Sequence, residues 1–363
     1  MVCGSRFAQT DNRKRYYNMD KTMRCDIIIP VWNMKKLTEQ CVNSIVRNTK
    51  FPYRIIIVDN ASDDETRRYL ESLKRRSDVD VAVIRNEENL GNSKAANQGI
   101  RASDAEYVCI LDNDTLVMEN WLTEMIDVAR KDEDIGVVNP LSNYGSKKPL
   151  GKSWEDIARQ IYEKNKGTYI ETAAAIGFCF LIKRKVIESI GLWPEGYGPG
   201  YFEDTEYSIR AVKNGYKVVI AQGAYVVHLE HSSFKKTGFF DELFEKNQRL
   251  FYDKFGQSKR MLYILTGKRT FGLDRNAYEN AQNRQWIWVF LQRGTNIELP
   301  RHAYIKLFRL NNSFFQFNCI LRILKRKKKF DVIYSDLPSL SKRLELLKGL
   351  HKAEVRGIGA GES

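Results

Sequence analysis

Continuous apolar runs alternate with amphipathic stretches through residues 26–130. Ile27-Ile28-Ile29 and Ile55-Ile56-Ile57-Val58 are apolar at every position, as expected of strands that are covered on both faces. The pattern predicts strands at 26–31, 53–58, 79–84 and 107–111, and helices at 36–48, 63–76, 93–102 and 119–130. Further along, the apolar run at 173–182 predicts a buried strand, and a helix is expected to start at 201–204 and to end at about 214. Strands that alternate with helices favour parallel pairing in a doubly wound sheet. The predicted fold class is therefore α/β.

The positive charge of the chain is concentrated towards its C-terminus. The 363 residues carry a net charge of +14, and residues 241–363 alone hold 24 Lys and Arg against 12 Asp and Glu. We expect a smaller basic extension there, with strands at 285–291 and 330–334 and a helix at 341–352. The run Lys325-Arg326-Lys327-Lys328-Lys329 is either a solvated surface or a contact for anionic lipid headgroups.

Composition also bounds the cellular setting. The 6 cysteines occur singly, which predicts buried thiols in a reducing compartment and neither a disulfide framework nor a zinc site. No apolar window reaches the roughly 18–20 residues that span a bilayer, and no signal peptide is visible. We therefore expect a cytoplasmic protein, with peripheral attachment to the inner face of the cell membrane left open.

Two acidic residues follow the fourth predicted strand. Because side chains alternate along a strand, Asp112 and Asp114 point to one side and Asn113 to the other. A hard divalent cation between the two carboxylates would offset their repulsion. The alternative is a plain polar turn, since Asp and Asn both favour turns.

Polar residues also follow the other predicted strands, at the edge where doubly wound sheets bind ligands. Asn33 follows the first strand, and the segment 59–62 follows the second. A loop at 86–92 that contains Gly91 leads into a helix with Ser93 as its predicted N-cap. With Lys94 beside it, this helix start is a plausible anion site. Each of these residues taken singly is as well explained by a turn or a cap.

Seven short motifs occur along the chain in order. They are Pro-Val-Trp-Asn at 30–33, Val-Asp-Asn-Ala-Ser at 58–62, Asn-Leu-Gly at 89–91, Asp-Asn-Asp at 112–114, Gly-Phe-Cys-Phe-Leu-Ile at 177–182, Phe-Glu-Asp-Thr-Glu-Tyr-Ser at 202–208 and His-Leu-Glu-His-Ser-Ser at 228–233. In this order they resemble family-2 glycosyltransferases with the GT-A fold. The resemblance covers about residues 24–240.

The resemblance implies a GT-A type, doubly wound, mostly parallel sheet that binds a nucleotide-sugar donor. Asp112 and Asp114 would hold Mn²⁺ or Mg²⁺ against the donor diphosphate, with His228 as a third ligand and His231 as a weaker candidate. Asp59 would contact the base. The rest of the implied donor-binding set is Pro30, Val31, Asn33, Asn60, Ser62, Asn89, Gly91, Lys94 and Asn113, together with Asp112 itself.

The same resemblance assigns the catalytic acids. Asp204 would be the base that takes a proton from an acceptor hydroxyl, and Glu203 would orient it or raise its pKa. The alternative is a pair of acids favoured by a helix dipole. No second carboxylate stands out as a covalent nucleophile, so a single displacement with inversion is expected. Trp193 would either stack on a sugar ring or belong to the core.

The expected organisation follows from these motifs. It comprises a flexible basic arm at 1–23, a GT-A glycosyltransferase domain at 24–256, and a basic α/β or helical extension at 257–363, a partial Rossmann-like or docking module. The acceptor would be a hydroxyl of a glycan or a lipid-linked saccharide.

Other classes of protein fit the sequence less well. A catalytically silent nucleotide-sugar or glycan-binding module is the main alternative, although it would not need Asp204. A nucleic-acid binder is disfavoured because the basic residues lie outside the alternating region and form no recognition motif. A nucleotidyltransferase is disfavoured because no Gly-rich loop follows the first strand.

Overall fold

The computed structural model describes residues 24–143, 151–198, 200–229, 239–267, 273–295, 297–311 and 313–358. The expected arm at 1–23 and His231 lie outside these residues. Within them every cysteine is a buried thiol, as predicted. No described helix is both long and apolar enough to cross a bilayer.

The first sheet contains nine described strands in the order β3-β2-β1-β4-β8-β6-β9-β5, with β7 paired to β9. The strands are β1 Cys25–Val31, β2 Tyr53–Asp59, β3 Val81–Arg85, β4 Tyr107–Leu111, β5 Thr115–Val117, β6 Ile135–Ser142, β7 Tyr169–Glu171, β8 Cys179–Lys183 and β9 Lys217–His228. The helices with them are α1 Lys35–Asn48, α2 Asp64–Leu73, α3 Asn92–Arg101, α4 Trp121–Ala129, α5 Trp154–Asn165, α6 Arg184–Ile190, α7 Glu203–Lys213 and α8 Phe239–Phe255.

The four predicted strands are parallel neighbours, as expected. Alternate residues of β1 face opposite layers of helices. Ile27 and Ile29 pack with α1 and α4, whereas Ile28 packs with α3. Both layers exclude water, which explains why β1 and β2 are apolar without interruption. The mostly parallel α/β fold class is confirmed.

One predicted strand is shorter than expected. The apolar run at 173–182 becomes a strand only from Cys179. Before it, side chains accept the bonds of the backbone amides: Asn139 Oδ1 accepts from Ile176 N at 2.7 Å, and Ser208 Oγ accepts from Ala175 N at 3.1 Å. A buried backbone amide needs a hydrogen-bond acceptor, and a side-chain oxygen serves as well as a neighbouring strand. This segment can therefore form a loop.

The second sheet lies in the basic extension and is entirely parallel, in the order β12-β11-β10-β13-β14. Its strands are β10 Arg260–Leu265, β11 Trp286–Gln292, β12 Ile305–Leu310, β13 Val332–Ser335 and β14 Glu354–Gly357. Its helices are α9 Leu273–Gln282, α10 Phe315–Lys325, α11 Pro338–Leu346 and α12 Lys348–His351. The predicted α/β extension is confirmed, and the domain boundary at 256 stays a prediction.

The two sheets touch through Glu171, the last residue of β7. Its carboxylate accepts bonds from Tyr278 Oη at 2.6 Å and Gln282 Nε2 at 3.1 Å, both on α9. Its carbonyl accepts a bond from Ala303 N at 2.7 Å. The α9 side of the second sheet therefore faces the first sheet.

We predict that Gly99→Ala destabilises the protein. A Cβ at Gly99 would lie 2.4 Å from Ile28 Cγ2, so β1 and α3 would have to move apart. We expect the unfolding free energy in urea to fall by about 1–3 kcal/mol, despite the better helix propensity of Ala. The matched control is Gly196→Ala, where a Cβ would meet nothing within 4 Å. Equal stability of the two variants would contradict this account of the packing.

Candidate functional site

Three potential metal ligands converge at the end of β4. One atom each from Asp112, Asp114 and His228 lies within 4.8 Å of the others. His228 Nε2 is 3.2 Å from Asp114 Oδ1 and 3.9 Å from Asp112 Oδ2. The antiparallel pairing of Thr115 with His228 brings the end of β9 to this point. The predicted set of three residues is thus assembled from two strands that are more than a hundred residues apart in the chain.

The surrounding residues hold this cluster in place. The backbone N of Asp112 donates to the carbonyl of Phe178 at 2.9 Å. The ring of Phe178 stacks on that of His228 at 5.4 Å between centroids. Asn143 exchanges two bonds with the backbone of His228, at 2.7 and 3.0 Å. The side chains of Asp112 and His228 are therefore positioned by contacts within the fold itself.

The electrostatics of the cluster also favour a cation. Burial, and then the charge of Asp114, raise the pKa of Asp112 to about 7, while His228 acts in the opposite direction. Such a shift means that the ionised pair is unfavourable by itself. A divalent cation would reverse this, because it stabilises both carboxylates in the ionised form. Two carboxylate oxygens and an imidazole nitrogen suit such an ion.

Asp59 is buried where β2 ends, and its two oxygens have different partners. Oδ1 accepts a bond from Ser62 N at 2.9 Å, and Oδ2 pairs with Arg85 at the end of β3. Arg85 also donates to the carbonyl of Ser62 at 3.1 Å. Ala61 between them has φ +56°, which a bulky residue would adopt only with strain. This tight turn fixes the loop where the base contact was predicted.

The loop after β1 is joined to the loop after β2. Asn33 N donates to Ser62 Oγ at 2.8 Å, and Asn33 Oδ1 accepts from Asp63 N at 2.7 Å. Pro30 and Val31 are the last residues of β1 and are buried. Asn33 thus uses its backbone amide on Ser62 and its side-chain oxygen on Asp63, and these bonds join the two loops into one rigid edge.

A network of amides connects this edge to α3. Asn60 Nδ2 donates to the carbonyl of Gly91 at 3.2 Å, and Asn60 Oδ1 accepts from Asn86 at 2.8 Å. Asn89 Oδ1 accepts from Gly91 N at 2.9 Å. Gly91, with φ +85°, is itself the N-cap of α3, so the prediction that Ser93 caps the helix was wrong.

The last two residues of the predicted donor-binding set lie further from these bonds. Lys94 is exposed on the first turn of α3, where an anion would meet it. The side-chain amide of Asn113 donates to Thr38 Oγ1 of α1 at 2.9 Å, so this side chain is bonded to a helix of the first sheet.

The two predicted catalytic acids lie at the start of α7. Phe202, the N-cap, has φ +77°, which turns the chain sharply into the helix. Asp204 Oδ2 accepts from Gly177 N at 2.9 Å, and its Oδ1 accepts from Thr205 N at 2.5 Å and from Thr205 Oγ1 at 3.1 Å. Burial raises the pKa of Asp204, and these bonds to its ionised form oppose that shift. Asp204 is therefore a fixed, desolvated carboxylate.

Glu203 is buried, with 7% of its surface exposed, and its Oε2 has no hydrogen-bond partner among the described residues. Burial, and then the charges of Asp204 and Asp112, raise the pKa of Glu203 to about 8. The charge of Asp204 likewise raises the pKa of Asp112. Gly177, which donates to Asp204, directly precedes Phe178, whose carbonyl accepts from Asp112 N, so the acids of α7 lie beside the cluster at the end of β4.

Comparison with known proteins agrees with this arrangement. The model of a family described as glycosyl transferase family 2 matches residues 26–191, which include both strand-end loops and the Asp112–Asp114 pair. Over these residues the chain matches glycosyl transferase family 2.

Several curated relatives that the chain resembles are glycosyltransferases by name. It is 31% identical to the glycosyltransferase GlyG of Streptococcus pneumoniae over 31% of this chain and 38% of GlyG. It is 25% identical to the probable glycosyltransferase YdaM of Bacillus subtilis over 60% of this chain and 53% of YdaM. The chain thus spans about half the length of these relatives or less.

A solved structure supports the fold of the chain. The structure of GalNAc-T7 with UDP, GalNAc and Mn²⁺ matches with a TM-score of 0.51 and 19% identity, over 64% of this chain and 48% of that chain. At this identity the likeness shows the fold alone, and it confirms the predicted GT-A type.

Some residues of the candidate site were not predicted. Arg85 was not singled out because nothing in the sequence pairs it with Asp59. Phe178 and Asn143, which hold His228, were missed for the same reason. Trp193 is buried against Phe180 and Tyr207, with centroids at 4.8 and 5.2 Å, so it is a core residue and the sugar-stacking alternative was wrong.

We predict that Glu203 makes stability depend on pH. Its folded pKa of about 8 exceeds its ordinary value of 4.5. Between these values the folded protein keeps a proton that the unfolded chain releases, so the unfolding free energy falls as the pH rises through this window. In urea unfolding with chelator present, Glu203→Gln should be more stable than the parent by at least about 1 kcal/mol near pH 8, and equal to it near pH 4.

The matched control for this prediction is Glu206→Gln on the same helix. The carboxylate of Glu206 accepts bonds from Tyr197 Oη and Lys254 Nζ, both at 2.7 Å. Removing the charge of Glu206 should lower the unfolding free energy near pH 8, in contrast to the increase expected for Glu203→Gln. If Glu203→Gln shifted the whole pH profile by a constant amount, Glu203 would not be protonated in the folded protein.

Proposed function

We propose that this chain is a metal-dependent, inverting glycosyltransferase, which moves a sugar from a nucleotide-sugar donor to a hydroxyl of a glycan or lipid-linked saccharide. The observation that carries the proposal is that a group of three potential metal ligands lies beside a buried pair of acids. The backbone of Gly177 and Phe178 links the two groups, since Gly177 N donates to Asp204 and the carbonyl of Phe178 accepts from Asp112 N, next to Asp114 and His228. A binding module would not need a desolvated carboxylate in that position.

The donor would lie along the ends of β1, β2 and β4. The rigid edge formed by Asn33, Asp59 and Ser62 offers polar groups to a nucleoside, and the start of α3 with Lys94 offers positive potential to phosphates. Asp112, Asp114 and His228 would hold Mn²⁺ or Mg²⁺, and the imidazole ligand favours Mn²⁺. When bound, such an ion supplies Lewis-acid stabilisation of the charge on a departing diphosphate.

Asp204 would act as the general base. Its carboxylate would accept the proton of the acceptor hydroxyl while the hydroxyl oxygen bonds to the anomeric carbon and the bond to the diphosphate oxygen breaks. A single displacement of this kind inverts the anomeric configuration. The raised pKa of Asp204 makes it a better proton acceptor than a solvated aspartate. Glu203, with its pKa of about 8, would be protonated at neutral pH and add no charge to the site.

The names of related proteins support the proposal without fixing its details. The similar structure of GalNAc-T7 contains UDP, GalNAc and Mn²⁺. A further similar sequence, 27% identical over 35% of this chain, is the poly-beta-1,6-N-acetyl-D-glucosamine synthase of Staphylococcus aureus. We propose a nucleotide-sugar donor and a saccharide acceptor on this basis. A reducing, cytoplasmic setting is proposed from the buried thiols.

We predict that one class of nucleotide sugar is turned over by the full chain with Mn²⁺, and that Asp204→Asn lowers kcat by about 10²–10⁴. The assay screens donors against saccharide acceptors and measures release of nucleoside diphosphate. Asp127→Asn, an exposed aspartate on α4, is the control and should keep full activity. Full activity of Asp204→Asn would show that the base is misassigned. Donor binding without turnover would favour the silent binding module.

We also predict that the metal site can be detected without catalysis. In the presence of nucleoside diphosphate, Mn²⁺ binding followed by the electron paramagnetic resonance signal of the free ion should weaken at least about tenfold in Asp114→Asn and in His228→Gln. Asp127→Asn and Asp204→Asn should bind Mn²⁺ like the parent. An unchanged affinity in both ligand variants would place the ion elsewhere.

A further inference from the structure

The four most exposed large apolar side chains of the described residues belong to the helices of the second sheet. They are Leu346 at the end of α11 with 87%, Phe314 at the N-cap of α10 with 80%, Phe317 of α10 with 62% and Leu350 of α12 with 60%. Leu321 of α10 is also exposed, at 36%. Elsewhere in the described residues no large apolar side chain is more than 47% exposed. Burying such side chains would gain free energy that the isolated chain leaves unused.

These side chains occupy one side of their helices. Phe314, Phe317 and Leu321 follow the spacing of a helical stripe. On the opposite side of α10, Phe315, Cys319 and Ile323 are buried in the core. The exposed stripe is therefore a second apolar side of α10, separate from the side that the helix buries in the core.

The exposed residues also face away from the first sheet. Leu262 and Ile264 of β10 pack with α10 and α11, whereas Met261 and Tyr263 pack with α9. Residues that alternate along a strand point to opposite faces, so α10 and α11 lie on the face opposite to α9. Since α9 contacts Glu171 of the first sheet, the face with α10, α11 and α12 is the outer face of the second sheet. Contact with the first sheet through α9 leaves this outer face available.

Exposed cations surround the apolar residues of the outer face. They lie on or beside the same three helices, and are Arg322, Lys325, Lys327, Lys328, Lys342, Arg343, Lys348 and Lys352. Between residues 313 and 352 the exposed acids are Asp331 and Glu345 among the described residues. The partner of this face must therefore be both apolar and negatively charged.

We propose that the outer face docks on an anionic lipid bilayer, with Phe314, Phe317, Leu346 and Leu350 inserted among the acyl chains and the surrounding cations against the headgroups. This combination of apolar insertion and basic charge is how helices lie in a bilayer surface without spanning it. The proposal is independent of the glycosyltransferase activity. The sequence alone suggested a lipid contact through the run at 325–329. The proposed contact surface is larger, and that run is one part of it.

Charge selects the bilayer over two other occupants. A second copy of the chain would bring one basic rim against another, which is unfavourable. A nucleic acid would satisfy the cations but would leave the leucine and phenylalanine side chains in water. In the run itself Arg326 is engaged, because it stacks over Trp288 at 4.2 Å and Phe330 at 4.6 Å, so its neighbours Lys325, Lys327 and Lys328 carry the contact.

We predict co-sedimentation of the full chain with phosphatidylcholine vesicles that contain about one-third phosphatidylglycerol, and little with phosphatidylcholine alone. Phe317→Ser with Leu346→Ser should lower the association constant at least about tenfold. Lys325→Ala with Lys328→Ala should lower it about fivefold per lysine, and raising the ionic strength from about 0.1 M to about 1 M should reproduce that loss.

Matched controls separate this surface from general effects. Phe244→Ser with Leu250→Ser removes the same residue types from α8, where they are 40% and 45% exposed. Lys131→Ala with Lys164→Ala removes two exposed lysines from the first domain, one from the turn after α4 and one from α5. Both controls should bind like the parent, and circular dichroism would verify folding. Equal binding to neutral and anionic vesicles, unchanged binding of the Phe317/Leu346 variant, or a dimer abolished by that variant would overturn the proposal.

Discussion

Crowding of carboxylates between the end of β4 and the start of α7 is the constraint on which this site depends. Asp112, Asp114, Glu203 and Asp204 come from two separate parts of the chain. Burial raises the pKa of Asp112, Glu203 and Asp204, and neighbouring carboxylates raise the pKa of Asp112 and Glu203 further. Folding alone would not favour such an arrangement. It is tolerable because Glu203 can stay protonated, because backbone amides bond Asp204, and because a divalent cation would neutralise the Asp112–Asp114 pair.

The loops around this site are held by side chains that bond backbone groups. Hydrogen bonds to the backbone of a neighbouring loop are made by the side chains of Asn60, Ser62 and Asn139, and Ser62 accepts its bond from Asn33. These bonds replace strand pairing where the sheet ends, so the loops keep a fixed shape without regular structure. A rigid edge of this kind suits a site that must position a charged donor, since less freedom is lost on binding.

The sequence-based account was most accurate where local pattern decides the structure. The parallel strands, the helix start at Glu203 and the α/β extension were all expected from periodicity and composition. The two errors have different origins. The strand at 173–178 was predicted from local preference, but Asn139 and Ser208 supply competing bonds from elsewhere in the fold. The cap at Ser93 was wrong because the positive φ of Gly91 lets the helix begin two residues earlier.

The sequence by itself determined the order of the elements and the chemical types of the site residues, because apolar runs and the acids that follow strands can be identified from short stretches of sequence. Only the tertiary structure decided which residues meet. The pairing of β5 with β9 brings His228 to Asp114, the bond from Gly177 orients Asp204, and Arg85 reaches Asp59 across two strands. The outer face of the second sheet was equally invisible, since exposure of Phe317 and Leu346 depends on which side of each helix the core occupies. Contacts between distant residues depend on sheet topology, and one chain's local pattern does not encode that directly.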